Sequence, residues 1–202
     1  MIVLGMPTTG AIPIQVIGSI QNVLMNRKDV TPYYTEGSLV YDARAKIVNY
    51  ALSQGADVLF VDSDIVFPIE GFDRLKWHDR PIVSGLYFGR HKGQSNPIAY
   101  KTVKPSTFYR KKPVLETIDE IKPFMEVEGA GLGFCLVQNK VLRAFGKENP
   151  FEPFGNLGED LSFFTRCRRK GFKIMLDSSF ALEHIGQYSY TAQDYKAQCK
   201  TE

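Results

Sequence analysis

The tripeptide Asp62-Ser63-Asp64 follows the apolar run at 58–61. Two carboxylates two positions apart beyond a strand end point the same way along the pleat. Such a pair can share one divalent cation, most naturally Mg2+ or Mn2+, and that cation can bridge to phosphate oxygens. The same three residues also suit an Asx-type turn with no ligand. A second acidic pair, Glu159-Asp160, opens a segment in which Leu161, Phe164 and Cys167 share a helical face. Carboxylates in a first helical turn favour the positive end of the dipole, so capping alone accounts for them. Their chemical reading is a general base for an acceptor hydroxyl. His184, after a strand-like run and before Gly186, is either a structural imidazole or the nitrogen ligand that completes an Asp and His site.

The elements that must bring these positions together begin with an apolar run at 2–6, closed by Pro7-Thr8-Thr9-Gly10 in the manner of a buried strand ending in a turn. Behind Pro13, which suits a first helical turn, Ile14, Ile17, Ile20, Val23 and Leu24 recur at helical spacing. A second strand is expected at 29–35 and a third at 58–61. Between them, Val40, Ala43, Ile47, Val48, Ala51 and Leu52 trace one face of a helix over 39–53, with Gly55 as its stop. This alternation predicts an α/β fold, a mostly parallel central sheet flanked by helices, whose ligands bind beyond the carboxyl ends of the strands. The loops that start at Pro7, near Glu36 and at Asp62 then share one rim.

After a helical turn at 69–76 and a strand at 82–87, four prolines, Pro97, Pro105, Pro113 and Pro123, interrupt short apolar pieces such as Ile98-Ala99-Tyr100 and Thr107-Phe108-Tyr109. Hairpins and irregular loops are expected there. Regular structure resumes with a strand at 124–127, the glycine-rich Gly129-Ala130-Gly131-Leu132-Gly133, and an apolar run at 134–137. Helices are expected over 139–145 and 159–170, the second stopped by Gly171, and strands at 173–176 and 180–182.

The 202 residues suit one domain, and a chain this long buries roughly 70% of its unfolded surface without a disulfide or metal framework. Hydrophobic residues at 44% and charged residues at 23% exclude a disordered chain. A net charge of +3 gives no argument for nucleic acid or an anionic membrane. Cys135, Cys167 and Cys199 form no CxxC pair, which argues against a zinc knuckle or a secreted disulfide scaffold and for a reducing compartment. The opening apolar run lacks a basic leader and no 18-residue apolar stretch follows, so no transmembrane segment and a cytoplasmic location are expected.

Taken in order, the strand ending in Asp62-Ser63-Asp64, the glycine-rich segment before Phe134, Glu159-Asp160 and His184 resemble a GT-A-fold glycosyltransferase of the family-2 type. The resemblance implies a metal-dependent transfer of sugar from a UDP- or GDP-linked donor to an acceptor hydroxyl, with inversion, on a Mn2+ or Mg2+ ion. It assigns Asp62 to the ribose, Asp64 and His184 to the metal with Asp62 beside them, and Ser63 to the donor motif. It places Pro7, Thr8 and Glu36 at the base and ribose, and brings Arg44 to the nucleotide rim, where an ordinary exposed helical arginine is the other reading. Gly131, Leu132 and Gly133 become a loop under the donor sugar and acceptor, open to backbone contact, although a tight hairpin at positive φ suits the glycines equally. Asp160, with Glu159 beside it, becomes the acceptor-activating acid. One domain over 1–202 is implied, with a nucleotide-binding half at 1–90, a small antiparallel or irregular acceptor-binding part at 91–190 and a tail at 191–202. No basic or aromatic acceptor motif is recognisable, so a carbohydrate, a lipid-linked sugar and a protein all stay open as acceptor.

Other residues have plainer readings. Arg166, Arg168, Arg169 and Lys170, echoed by Arg110-Lys111-Lys112, suit the negative end of a helix and a solvated face, or a phosphate-bearing acceptor. Phe151, Phe154, Phe163 and Phe164 read as core, while Trp77, Tyr87 and Phe154 also have the shape to stack on a sugar. Cys135 and Cys167 read as buried and inert. A haloacid-dehalogenase-type phosphohydrolase, with Asp62 as nucleophile, shares the form of the aspartate motif but requires a later paired-aspartate motif that is not found. A non-catalytic nucleotide-sugar or carbohydrate-binding domain is the remaining alternative. A nucleotidyltransferase is disfavoured because the loop after the first strand carries no Lys or Arg.

Overall fold

The computed structural model describes residues 1–37, 39–90, 95–106, 111–186 and 189–192. The Thr107-Phe108-Tyr109 piece, Arg110, Cys199 and the tail beyond 192 lie outside the described residues.

The opening apolar run is strand β1 (Ile2–Thr8), buried over six of its seven residues. Helix α1 (Ile14–Asn26), strand β2 (Val30–Glu36), helix α2 (Val40–Ser53) and strand β3 (Asp57–Val61) follow, and β2 and β3 flank β1 in parallel. The short strand β4 (Ile65–Val66) and helix α3 (Ile69–Trp77) lead to β5 (Ile82–Gly85). In the proline-interrupted region β6 (Ala99–Lys104) and β7 (Val114–Thr117) pair as an antiparallel hairpin with an irregular register. Then come β8 (Phe124–Val127), β9 (Gly129–Ala130), which pairs with β6, and β10 (Phe134–Val137). Helices α4 (Asn139–Arg143) and α5 (Glu159–Arg169) and strands β11 (Ile174–Asp177), β12 (Glu183–Ile185) and β13 (Ser189–Tyr190) complete the described chain.

The central sheet has the order β2-β1-β3-β10-β5-β11-β8. Strands β1, β2, β3, β5 and β11 run one way, and β10 and β8 run against them. Side chains alternate across the pleat. Val3, Val58 and Phe60 pack with Ile47 and Val48 of α2 and with Phe163 and Phe164 of α5. Leu4, Met6, Leu59 and Val61 pack on the opposite face with Val16 and Ile20 of α1 and Phe72 and Leu75 of α3. Both faces are therefore covered, which is why the strands read as continuous apolar runs. Gly5 has a steric reason: a Cβ there would overlap the Ile47 side chain. Its absence lets α2 lie close on β1, with Arg44 one turn before Ile47, toward the carboxyl ends of the strands.

Two expectations are corrected. Residues 180–182 form no strand. The Asp177 carboxylate accepts the Ser179 backbone N–H at 2.8 Å, closing a turn that ends β11, and Phe180 then packs over Gly71 as part of a loop. The strand expected at 82–87 stops at Gly85. Leu86 N–H donates instead to the Asp177 carbonyl at 3.0 Å.

Candidate functional site

Because β1, β2 and β3 are parallel, with Thr8 opposite Glu36, their carboxyl ends open on one rim. A cavity of about 310 Å³ lies there. Pro7, Thr8 and Thr9 line it from β1, and Gly37 and Val40 from the loop and helix after β2. Asp62, Ser63 and Asp64 line it beyond β3, and Arg44, Arg90, Glu159 and His184 close it. Glu36 itself is exposed at the end of β2 and is not among the lining residues; its neighbour Gly37 is.

Asp62-Ser63-Asp64 is a turn rather than the continuation of a pleated strand. The Ile65 N–H donates to the Asp62 carbonyl at 3.1 Å, closing residues 62–65. The turn is real, as the ligand-free reading expected, yet it delivers both carboxylates to the cavity. His184 reaches them by strand pairing: β12 lies antiparallel to β4 with His184 opposite Ile65, and Ile185 N–H donates to the Asp64 carbonyl at 2.7 Å.

The two carboxylates have different partners. Arg44 Nη2 donates to Asp62 Oδ1 at 2.7 Å and lies 3.6 Å from Glu159 Oε1. Arg44 is 2% exposed and stands over the Phe60 ring, 5.6 Å from its centroid, so the exposed-arginine reading is corrected. Burial works against the Arg44 charge, and the Asp62 and Glu159 carboxylates outweigh it, holding the guanidinium pKa above its ordinary value. The Arg44 Nε and Nη1 atoms are buried without a hydrogen-bond partner.

Asp64 Oδ2 meets Arg90 Nη1 at 2.8 Å and His184 Nε2 at 3.5 Å. His184 Nδ1 lies 2.8 Å from the Phe88 carbonyl oxygen, an acceptor only. Nδ1 must therefore carry a proton; with the ring protonated, Nε2 faces Asp64 as a donor, and with the ring neutral, Nε2 holds a lone pair free for a cation. Burial raises the Asp64 pKa, while His184 and Arg90 lower it by more, so this carboxyl titrates below the ordinary range.

The second acidic pair is split. Glu159 faces the cavity near Arg44, whereas Asp160 is not among the lining residues and accepts the Leu161 N–H at 2.6 Å. Burial first, and then the neighbouring Glu159 charge, push the Asp160 pKa up to about 7. Tyr87 lies near it, 6% exposed, with its hydroxyl accepting the Gly133 N–H at 3.1 Å. Burial and then the charges of Asp62 and Asp160 raise the Tyr87 pKa, so the hydroxyl stays protonated.

The glycine-rich segment is placed differently from both of its readings. None of Gly129, Gly131 and Gly133 has positive φ. Gly131, Leu132 and Gly133 are buried, and the two glycine amides are engaged: Gly131 N–H donates to the Ile98 carbonyl and Gly133 N–H to the Tyr87 hydroxyl. A Cβ at Gly131 would overlap the Tyr87 hydroxyl, so these glycines make room for that ring.

Of the lining residues that the sequence reading missed, Thr9, Gly37, Val40 and Arg90, the charged one is Arg90. Its signal is an arginine just beyond the strand at 82–87, the position that drew attention to Asp62 after 58–61. The exposed Trp77, at the end of α3, is not among the lining residues. Phe154 sits under Arg166 and Arg169, and Arg168 ties to Glu128 at 2.6 Å and to the Val103 carbonyl, so these members of the basic run brace loops. Cys135 and Cys167 are buried, and burial drives both thiols well above the ordinary range.

Among the described residues no group of three His, Cys, Asp or Glu side chains could hold a metal ion by itself. The donor set still fits a shared ion: neighbouring ligands of an octahedral ion with bonds of about 2.0–2.2 Å lie roughly 3 Å apart. Asp64 Oδ2 and His184 Nε2, at 3.5 Å, are close to that separation. Such a site leaves coordination positions for phosphate oxygens and water.

No protein-family model matches the chain, and no curated protein sequence matches it significantly. Solved structures do. The chain is similar to A197 from STIV, with a TM-score of 0.64 and 19% identity over 92% of this chain and 85% of that one. It is also similar to GalNAc-T7, solved with UDP, GalNAc and Mn2+, with a TM-score of 0.59 and 10% identity over 99% of this chain. The chain spans 47% of the GalNAc-T7 chain. The architecture is the mixed α/β GT-A fold, with a mostly parallel central sheet. Among the described residues, no helix is long and apolar enough to cross a membrane.

Proposed function

We propose that the protein is a metal-dependent glycosyltransferase of the GT-A type that moves a sugar from a nucleotide diphosphate donor to an acceptor hydroxyl with inversion. The observation that carries this reading is the convergence of Asp62, Asp64, His184 and two arginines on one cavity at the carboxyl ends of β1 and β3. In GT-A architecture this rim is the ligand end of the sheet. The presence of UDP, GalNAc and Mn2+ in the structurally similar GalNAc-T7 supports the same ligand class here.

In this reading Pro7, Thr8 and the segment at Glu36 and Gly37 receive the base and ribose, and Asp62, fixed by Arg44, accepts from the ribose hydroxyls. Asp64 and His184 hold the ion, and the nitrogen donor shifts the preference from Mg2+ toward Mn2+. When bound, the ion neutralises charge developing on the departing diphosphate. The Phe88 carbonyl keeps His184 in the tautomer whose Nε2 can bind it. Asp160 takes the acceptor proton: a carboxyl pushed up to about 7 is matched to accept a proton near neutral pH. Glu159, engaged by Arg44, sets the charge beside it. The GT-A fold favours this reading over the phosphohydrolase one.

The test is a panel of UDP- and GDP-sugars with Mn2+, followed by melting temperature and by release of nucleoside diphosphate. The expected result is Mn2+-dependent stabilisation by one nucleotide class. The Asp160→Asn variant should keep that stabilisation and lose transfer or donor hydrolysis by about 10²–10⁴-fold. Stabilisation without turnover by the wild type would select the non-catalytic binding alternative, and stabilisation by none would reject the donor class.

A further inference from the structure

Arg90 touches the one oxygen that a shared metal ion would need. Its Nη1 lies 2.8 Å from Asp64 Oδ2, the atom that also faces His184 Nε2. We propose that Arg90 is an internal cation that occupies the Asp64 and His184 pair before ligand arrives and passes to the donor diphosphate when a divalent ion takes Asp64. This inference rests on the metal-dependent donor reading above.

The charges of the two pairs already cancel: Asp62 with Arg44 and Asp64 with Arg90. A divalent ion arriving alone must approach a guanidinium at hydrogen-bond distance from its own ligand, and like charges that close repel strongly. An ion arriving with a diphosphate brings the anion that Arg90 needs in exchange, and guanidinium binds phosphate oxygens in a two-pronged geometry that suits this role.

The mechanics allow the exchange. The Arg90 side chain is 46% exposed, and its other described bond is from Nη1 to the Ile185 carbonyl at 3.2 Å. Its backbone neighbourhood is fixed: Gly89 N–H donates to the Asn96 carbonyl at 2.9 Å, and Phe88 bridges Pro97. The head can therefore move from carboxylate to phosphate while the backbone at Phe88 and Gly89 stays. Arg44 cannot make this exchange, because it is 2% exposed and held between Asp62 and Glu159. The consequence is cooperativity: the ion and the diphosphate bind together far better than the ion alone.

Titration calorimetry on the intact protein tests this without turnover, with Mn2+ alone and with preformed Mn2+ diphosphate as probes, the latter independent of base and sugar. Arg90→Gln should bind Mn2+ alone about tenfold more tightly than the wild type and Mn2+ diphosphate about tenfold more weakly. Arg90→Lys should keep the weak binding of Mn2+ alone, since the positive charge remains. Equal Mn2+ affinity in the wild type and Arg90→Gln overturns the exchange while leaving the metal site in place. If no protein binds Mn2+ in either form, the inference and the metal reading beneath it fall together. Melting curves of both variants show whether the fold is intact.

Discussion

Two clusters of charge sit at the carboxyl ends of the parallel strands, and they are built on opposite plans. At the end of β11, Asp177 is fully buried, and both oxygens are saturated: Oδ1 by the Ser179 N–H and hydroxyl, Oδ2 by Arg74 Nε at 3.1 Å and His78 Nε2 at 2.6 Å. His78 is stacked on Phe124, with ring centroids 3.8 Å apart. Beyond β3, Asp64 lines an open cavity and gathers its ion-pair contacts on one oxygen. A carboxylate accepts about four hydrogen bonds, so Asp177 has nothing left to offer while Asp64 has. Saturation separates the knot that braces the fold from the cluster equipped to bind.

The largest effect expected from this contrast is on the saturated side. Asp177→Ala leaves Arg74 and His78 without their acceptor and frees the turn at Ser179. Breaking such a buried network costs about 3–5 kcal/mol. Urea denaturation reads this directly, and a loss below about 1 kcal/mol would place Asp177 among ordinary surface acids. Any Mn2+-dependent nucleotide binding by the protein that remains folded should be unchanged.

On the open side the order reverses. Asp64→Ala removes a half-open pair that contributes at most about 1 kcal/mol to folding. The same substitution should weaken Mn2+-dependent nucleotide binding by about a hundredfold, or roughly 2.7 kcal/mol. A variant that melts well below the wild type while binding nucleotide normally would show that Asp64 is structural after all.

Arg44 lies between the two plans, because it is buried like the knot yet lines the cavity. Arg44→Lys keeps the charge but replaces a planar fork by a point that cannot serve both Asp62 and Glu159. A loss of about 1–3 kcal/mol in stability is expected, together with weaker donor binding. Separation of the two losses, with stability alone affected, would assign Arg44 to the fold.

How much of this was written locally in the chain follows from the same residues. The elements around β1, α2 and β3 repeat over a few positions, so their periodicity is readable. Even the burial of Arg44 had a signal: 44, 47, 48 and 51 are spaced i, i+3, i+4, i+7, which puts the arginine in the stripe of Ile47, Val48 and Ala51. The turn at 62–65 is not separable from a strand end by sequence, since short polar triplets suit both. His184 is different, because its approach to Asp64 depends on β12 pairing with β4 across more than a hundred residues, which no local pattern encodes. Arg90 and the role of Tyr87 beneath Gly131 and Gly133 likewise depend on long-range contacts.

The smallest effect is a pH slope, and it has opposite signs at Asp177 and at Asp160. Asp177 titrates below the ordinary carboxyl value: burial raises its pKa, and Ser179 and His78 lower it by more. Its contribution is present above the unfolded value and lost as pH falls through the folded one, in the acid range below about 4. Asp160 is shifted the other way, from 3.8 to about 7. The unfolded chain releases that proton first, so its stabilising contribution is full below the unfolded value and is lost as pH rises toward and through 7. Wild type should therefore lose stability between pH 5 and 8 relative to Asp160→Asn, by at most about 2 kcal/mol, because the carboxyl is partly exposed and solvent screens it. Denaturation midpoints of both proteins across that interval isolate this one group, since every other titrating side chain is common to the pair. Parallel profiles would mean that Asp160 is ionised at neutral pH like any surface acid, and its raised pKa could then no longer support it as the proton acceptor.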